Sequence, residues 1–185
     1  MDKLCHLAIR LEDCHVPVER EFIVPSGIRL DRLHAVIQAV MGWSDSHLHA
    51  FCTANGRFTA HDPKSERSAT LADVVNEGCP GFGYEYDFGD DWRHSIEVKS
   101  FNYSQEVPHP IHCLTAKGAC PPEDVGGSGG YERFCEIIND SRHPEHKEMR
   151  DWVYGLCGYP KTRKWPDGTS TTAINKILHR INKGF

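Results

Sequence analysis

The sequence predicts an α+β fold in a single domain, with an antiparallel sheet and a central hairpin packed against several helices. Segments of alternating apolar residues dominate the first hundred positions, whereas apolar residues at helical spacing dominate the last sixty. A chain of 185 residues with 39% hydrophobic and 25% charged residues has the composition of an ordinary globular protein. This composition excludes disordered, collagen-like and coiled-coil classes.

The first elements along the chain are two strands and a helix. Residues 4–11 and 16–24 alternate apolar with polar side chains and predict an antiparallel pair. A helix follows and should end at Gly42, because its apolar residues share one face. These residues are Leu30, Leu33, Val36, Ile37, Val40 and Met41. Residues 47–53 predict a third strand, a short strand is expected around Phe58, and residues 71–75 predict one helical turn.

Residues 82–101 give the strongest hairpin signal. A three-residue loop, Gly89 to Asp91, puts aromatic side chains on one face of the hairpin and polar side chains on the other. The expected pairs are Phe88 with Trp92, Tyr86 with His94, Tyr84 with Ile96, Asp87 with Arg93 and Glu85 with Ser95. His94 then lies among aromatic rings, either as a structural histidine or as a general base or metal ligand.

The remainder of the chain is an irregular segment followed by helices. Residues 102–130 are rich in Pro and Gly, so they form a functional loop or hide an element without clear periodicity. Three apolar stripes then predict helices. The stripes are Tyr131, Phe134, Cys135 and Ile138; Met149, Trp152, Val153 and Leu156; and Ile174, Ile177, Leu178 and Ile181. We expect one domain over residues 1–158 and a helical extension over residues 159–185 that packs on it.

Charge and cysteine content restrict the location and the partners. The net charge of −5 argues against a dedicated duplex-binding protein, although a protein or nucleic-acid partner remains open. No segment has the length of a membrane span, and charged residues stand where a signal peptide would be apolar. We therefore expect a cytoplasmic protein without a membrane partner. Its eight cysteines should be reduced and serve as buried side chains or metal ligands.

Two pairs of residues are candidate zinc ligands. His47 and His49 on one strand would direct both imidazoles to one face, and Cys113 and Cys120 follow in the Pro/Gly-rich segment. Together they supply the two nitrogens and two sulfurs of a tetrahedral site, so a divalent metal such as zinc is the cofactor they would hold. Each pair alone is also compatible with a structural role.

Carboxylates form a second candidate set. Asp87, Asp90 and Asp91 stand at the hairpin turn, and Glu123 and Asp124 follow two prolines. Such residues can form an oxygen-rich cation site, or they can serve a turn and the start of a helix. We predict one concave site, and we add the hairpin residues Trp92 and His94 to the candidate binding surface. Its expected members are His47, His49, Asp87, Asp90, His94, Glu123 and Asp124.

Three segments together resemble the plasmid pRiA4b open-reading-frame-three-like family. They are residues 42–51 (GWSDSHLHAF), 84–94 (YEYDFGDDWRH) and 120–131 (CPPEDVGGSGGY), within a resemblance that covers about residues 1–155. The resemblance implies an α+β fold of the family's own type and no established activity. It also implies an association with plasmids or insertion elements, since some members are described as TnpR-like passenger proteins.

Two functions follow as hypotheses. The first is a cytoplasmic binding or accessory protein that uses the hairpin turn and the segment around Glu123. The second is a metal-dependent hydrolase or nuclease in which Asp87, Asp90, Glu123 and Asp124 surround a divalent cation and His94 is the base.

Overall fold

The core of the structure is one antiparallel sheet of seven strands. The computed structural model describes residues 3–59, 61–62, 65–76 and 78–183, and these contain all seven strands. The strands are β1 Leu4–Leu11, β2 Glu19–Pro25, β3 His49–Thr53, β4 Gly56–Phe58, β5 Gly81–Tyr86, β6 Trp92–Ser100 and β7 His112–Lys117. Their order is β4-β3-β5-β6-β1-β2-β7, and every neighbouring pair is antiparallel.

Five α-helices in the described residues accompany the sheet, so the predicted α+β class is confirmed. They are α1 Leu30–Met41, α2 Leu71–Val74, α3 Gly127–Asn139, α4 His146–Asp151 and α5 Thr171–Asn182. A π-helical turn, Trp152–Leu156, continues α4. Helix α1 ends where its sequence predicts, because Gly42 adopts a φ of +94° and its N–H donates to the carbonyl of Gln38. No helix in the described ranges is both long and apolar enough to cross a bilayer.

One face of the sheet is buried, and the alternation of β5 and β6 shows why. Tyr84, Tyr86 and His94 point into the core, whereas Glu85 and Arg93 lie on the opposite face. Buried residues of β1, α1 and α3 belong to the same apolar cluster. The aromatic face of the hairpin is therefore the part of the sheet from which the candidate site is built.

The register of the hairpin differs from the predicted one by two residues. Tyr86 pairs with Trp92 and Tyr84 with His94, so the connection is 87–91, five residues rather than three. The longer turn is stable because the N–H of Asp91 donates to the Asp87 carbonyl at 2.7 Å and both aspartates adopt left-handed φ values. Because the register is shifted by two residues, the strand side chains stay on their predicted faces of the hairpin. The predicted pairing of Asp87 with Arg93 is wrong, since Arg93 pairs with Glu85.

Strand β7 lies inside the segment that the sequence leaves irregular. It forms the edge of the sheet beside β2, and of its side chains only Cys113 is buried. Helix α5 covers this edge through two asparagines. Asn175 accepts from the N–H and donates to the carbonyl of Cys113, at 2.8 and 2.9 Å, and Asn182 does the same with Ile111, at 3.2 and 2.9 Å. These side chains replace the hydrogen bonds that a neighbouring strand would make.

The apolar stripe of α5 is narrower than predicted. Ile174 and Leu178 are buried, whereas Ile177 is 46% exposed, so its assignment to the packed face is wrong. Consecutive residues of an α-helix are rotated by about 100° around its axis. Ile177 therefore lies to one side of the face on which Leu178 is buried. The boundary at residue 158 stays a prediction, and the last two residues of the predicted extension lie outside the described ranges.

Candidate cation site at the hairpin turn

Three connections meet at the end of the hairpin. They are the segment between α1 and β3, the turn 87–91, and the segment that leads into α3. The indole of Trp43 stacks on Tyr86, with 4.7 Å between ring centroids, and donates to the carbonyl of Pro121 at 3.1 Å. Trp43 thereby fixes the third connection against the hairpin. The side chains brought together are His47, Asp87, Glu123 and Asp124, here called the His47 cluster.

The imidazole of His47 lies at the centre of this cluster. Its Nε2 is 3.3 Å from Oδ1 of Asp124, 3.6 Å from Oδ2 of Asp87 and 3.7 Å from Oε2 of Glu123. The nitrogen is buried and makes no hydrogen bond within the described part of the chain. Three carboxylate oxygens therefore face one buried nitrogen.

Asp87 is held in place by the turn that it closes. Its residue surface is 7% exposed, and its Oδ1 accepts from the N–H groups of Gly89 and Asp90 at 3.0 and 3.3 Å. These bonds occupy one carboxylate oxygen. The other oxygen, Oδ2, is the one that faces His47.

Glu123 is oriented by a tyrosine and a serine. Its Oε1 accepts from the Tyr86 hydroxyl at 3.0 Å, from the Ser44 N–H at 2.8 Å and from the Ser44 hydroxyl at 3.1 Å. Burial and then the carboxylate of Glu123 raise the pKa of Tyr86 far above its usual range, so the hydroxyl remains a donor. Supporting hydrogen bonds of this kind fix the direction of a metal-ligating carboxylate.

Asp124 is the exposed member of the cluster, with a side chain 74% accessible. The connection that carries it docks on the hairpin turn, where Oδ2 of Asp90 accepts from the Gly126 N–H at 3.1 Å. Gly127 makes this approach possible, since a Cβ at this position would lie 2.9 Å from the carbonyl oxygen of Asp90. Asp90 therefore holds this connection against the hairpin turn. The His47 cluster is accessible to solvent on the side of Asp124.

The spacing of the His47 cluster suits a metal ion better than a hydrogen bond. A cation bound about 2.1 Å from a nitrogen and from an oxygen, at a tetrahedral angle, separates these two ligand atoms by about 3.4 Å. The observed separations of 3.3 to 3.7 Å lie around this value and beyond the usual range of an N–H···O bond. The imidazole of His47 and the carboxylates of Asp87 and Asp124 offer ligand atoms that all lie within 4.8 Å of one another, and this donor set fits a divalent transition metal.

His94 lies deeper in the core than a base at this site would. Its ring contacts Trp43 edge-on at 5.3 Å, its Nδ1 is 3.1 Å from the Tyr84 carbonyl, and its Nε2 has no partner among the described residues. Burial lowers the pKa of His94 to about 4, so the ring is neutral at pH 7. With Trp43 between it and Tyr86, His94 is separated from the His47 cluster.

Two further residues of the expected surface also lie outside the cluster. Asp91 pairs with Arg93, whose Nε donates to it at 3.1 Å. Trp92 is buried in the core. The turn thus divides its aspartates, with Asp87 facing His47, Asp90 holding the third connection and Asp91 facing solvent.

His49 belongs to a second histidine group rather than to the first. Its ring stacks on that of His34 with 3.4 Å between centroids, and its Nε2 lies 2.8 Å from Oε2 of Glu66. His34 in turn contacts Asp45 and Tyr84, at 2.8 and 2.9 Å. Burial and then the neighbouring His49 lower the pKa of His34. Both ring nitrogens of His34 and Nε2 of His49 thus have hydrogen-bond partners, whereas Nε2 of His47 has none among the described residues.

The two cysteines do not join the histidines. Cys113 lies under the β7 edge with its thiol 3.4 Å from the carbonyl of Thr115, and Cys120 is fully buried. Burial raises the pKa of Cys113 to about 11 and of Cys120 to about 12, which favours the thiol form. No group of three or more potential metal ligands in the described residues includes either cysteine, so the expected set of two nitrogens and two sulfurs is not assembled.

Ser44 and the hydroxyl of Tyr86 are site residues that the sequence reasoning missed. Tyr86 reads from sequence as an aromatic core residue, and only its position at the end of β5 directs its hydroxyl to Glu123. Ser44 stands within the GWSDS segment of the family motif, which was the available signal.

Comparisons with known proteins agree with this fold. The chain is 40% identical over 159 residues to the uncharacterized protein y4hQ of Sinorhizobium fredii (strain NBRC 101917 / NGR234), an alignment that covers 82% of this chain and 79% of that protein. It is also similar to the crystal structure of a protein of unknown function, MM3350, from Methanosarcina mazei Go1. That similarity has a TM-score of 0.80 and 29% identity, and it covers 93% of this chain and 97% of the other. Residues 3–162 match the family described as plasmid pRiA4b ORF-3-like protein. The chain therefore belongs to the plasmid pRiA4b ORF-3-like family.

Proposed function

We propose that the protein binds a divalent transition-metal cation at the His47 cluster and serves as a metal-binding accessory protein of plasmids or mobile elements. The observation that carries this proposal is the buried Nε2 of His47, which lacks a hydrogen bond and faces three carboxylate oxygens. A buried polar atom without a partner costs free energy, and a metal ion would supply the partner.

The chemistry of the ligands selects among metals. An imidazole nitrogen suits zinc, copper, iron or nickel and carboxylates suit manganese, whereas magnesium and calcium prefer oxygen ligands alone. The carboxylates of Asp87 and Asp124 balance a divalent charge, and that of Glu123 lies beside them, which favours binding electrostatically. We therefore expect zinc and manganese to bind more tightly than magnesium.

Calorimetric titration of chelator-treated protein with zinc chloride and manganese chloride tests the proposal. We expect one ion per chain. Asp87→Asn retains the oxygen that accepts from Gly89 and Asp90 and replaces the oxygen that faces His47, so the fold should survive. This variant and His47→Ala should each weaken binding more than about tenfold, because loss of even a supporting partner costs about 10–100-fold.

The matched control is His15→Ala, since the side chain of His15 is 89% exposed and lies outside the cluster. It should bind the metal as the unmodified protein does. Binding that is unaffected by His47→Ala, or no binding at all, would contradict the proposal.

A metal-dependent hydrolase is the second candidate, and the exposure of Asp124 favours it. This side chain lines both the His47 cluster and a neighbouring groove, so a bound metal would be reachable from solvent. A metal ion lowers the pKa of its bound water and so supplies a nucleophile without His94. Manganese-dependent cleavage of bis(p-nitrophenyl) phosphate, lost in Asp87→Asn, would support this candidate. Tight metal binding without turnover would leave the accessory role.

We also propose that the protein is located in the reducing cytoplasm. The eight cysteines, all of which lie in described residues and are free, support this location.

A further inference from the structure

A groove next to the His47 cluster has a volume of about 830 Å³. It lies between α3 on one side and α4 with the π-helical turn on the other, and we call it the α3–α4 groove. Its lining consists of Asp124, Val125, Gly130, Arg133, Phe134, Glu145, Glu148, Met149, Asp151, Trp152, Gly155 and Leu156. Such a volume accommodates several side chains of a partner.

One wall of the groove has helical spacing. Positions 145, 149, 152 and 156 follow one another at intervals of three or four residues, and Glu148 adjoins Met149. At 1.5 Å per residue this wall is about 16 Å long, which matches about three turns of a partner helix. The π-helical turn forms its far end, and such turns are frequent at functional sites.

The floor of the groove is apolar. Phe134 and Trp152 meet edge to face with 6.0 Å between ring centroids, and Met149 lies beside them. Leu156, at the far end, is 83% exposed. Of the predicted stripe, Val153 is buried, Met149 and Trp152 are half-buried and line the groove, and Leu156 is exposed.

The rim of the groove is acidic. Four carboxylates line it against one base, Arg133, which already pairs with Glu145 at 2.7 Å. Asp151 pairs with Lys147 at 2.6 Å, whereas Glu148 has no ion pair within the described ranges. A ligand for this groove should therefore combine apolar side chains with positive charge.

From this complementarity we propose that the α3–α4 groove binds a basic amphipathic helix of a partner protein. Apolar side chains of that helix at positions i, i+3 or i+4, and i+7 pack on Trp152, Met149 and Leu156, while its lysines or arginines lie near Glu148 and Asp124. This interaction goes beyond metal binding and needs no metal at the His47 cluster.

Fluorescence anisotropy tests the proposal with a defined probe. The probe is a fluorescein-labelled 14-residue peptide of leucine and lysine, with leucines at the spacing given above, and the control peptide carries glutamate in place of lysine. We expect saturable 1:1 binding of the lysine peptide only. Leu156→Ser should weaken it about tenfold and Glu148→Gln about threefold, whereas Glu136→Gln, an exposed acid of α3 outside the groove, should have no effect.

Several results would overturn the proposal. Equal weakening by Glu136→Gln and Glu148→Gln would show unspecific attraction to an acidic protein. Absence of saturable binding, with each variant folded by circular dichroism, would show that the groove takes no such helix. A concentration-dependent dimer in sedimentation velocity that Leu156→Ser abolishes would assign the groove to a second copy of the chain. Because His47→Ala should retain peptide binding, failure here is distinguishable from failure of the metal proposal.

Discussion

The edge of the sheet at β7 gives a prediction that can be worked out from hydrogen bonds. Asn175→Ala removes one acceptor and one donor, which bond the N–H and the carbonyl of Cys113 at 2.8 and 2.9 Å. A hydrogen bond contributes about 0.5–1.5 kcal/mol net, so the substitution should lower the free energy of unfolding by about 1–3 kcal/mol. For a chain of this size each kcal/mol corresponds to about 2–4 °C in Tm, hence a decrease of about 2–12 °C.

Urea titration and a thermal melt followed by circular dichroism measure this change. Lys176→Ala is the matched control, because Lys176 is exposed on the same helix and should change the free energy of unfolding by less than about 0.5 kcal/mol. Asn182→Ala removes the two hydrogen bonds to Ile111 and should lower the free energy of unfolding by a similar amount. If Asn175→Ala were as stable as Lys176→Ala, the idea that α5 replaces a missing strand would be refuted.

Two further predictions concern stability. Leu178→Ala should cost about 2–5 kcal/mol in urea titration and Ile177→Ala less than about 1 kcal/mol, because only Leu178 is buried; similar costs would contradict the packing of α5. The pKa of His94 is about 4 in the folded protein and 6.5 ordinarily, so the unfolded chain binds more protons between these values and the free energy of unfolding falls as pH falls from 6.5 to 4. The expected contribution is about 3 kcal/mol. It is measured as the difference between the unmodified protein and His94→Leu, and parallel pH profiles of the two would refute it.

The elements that the sequence predicts well are those with local causes. Helix α1 carries its own apolar period and its own terminating glycine, so its limits follow from residues 30–42 alone. The two faces of the hairpin were predictable for the same reason. Its register was not, because the side chain of Asp87 closes a longer turn that no count of apolar residues reveals.

The elements that escaped prediction depend on distant residues. Strand β7 is defined by its pairing with β2 and by two asparagines of α5, more than sixty positions away. The residues of the candidate site were likewise predictable only in part. The motif segments brought His47, Asp87 and Glu123 into consideration together, but the separation of His49 depends on Glu66, which stands in no motif.

X-ray absorption spectroscopy of the zinc-loaded protein at the zinc edge shows directly whether a metal ion binds at the His47 cluster. We expect one imidazole nitrogen and two or three carboxylate oxygens at about 2.0–2.2 Å, with no sulfur, and loss of the imidazole signal in His47→Ala. Sulfur ligands at about 2.3 Å would instead assign the metal to cysteines such as Cys113 and Cys120 and contradict binding at the His47 cluster. So would a spectrum that His47→Ala leaves unchanged.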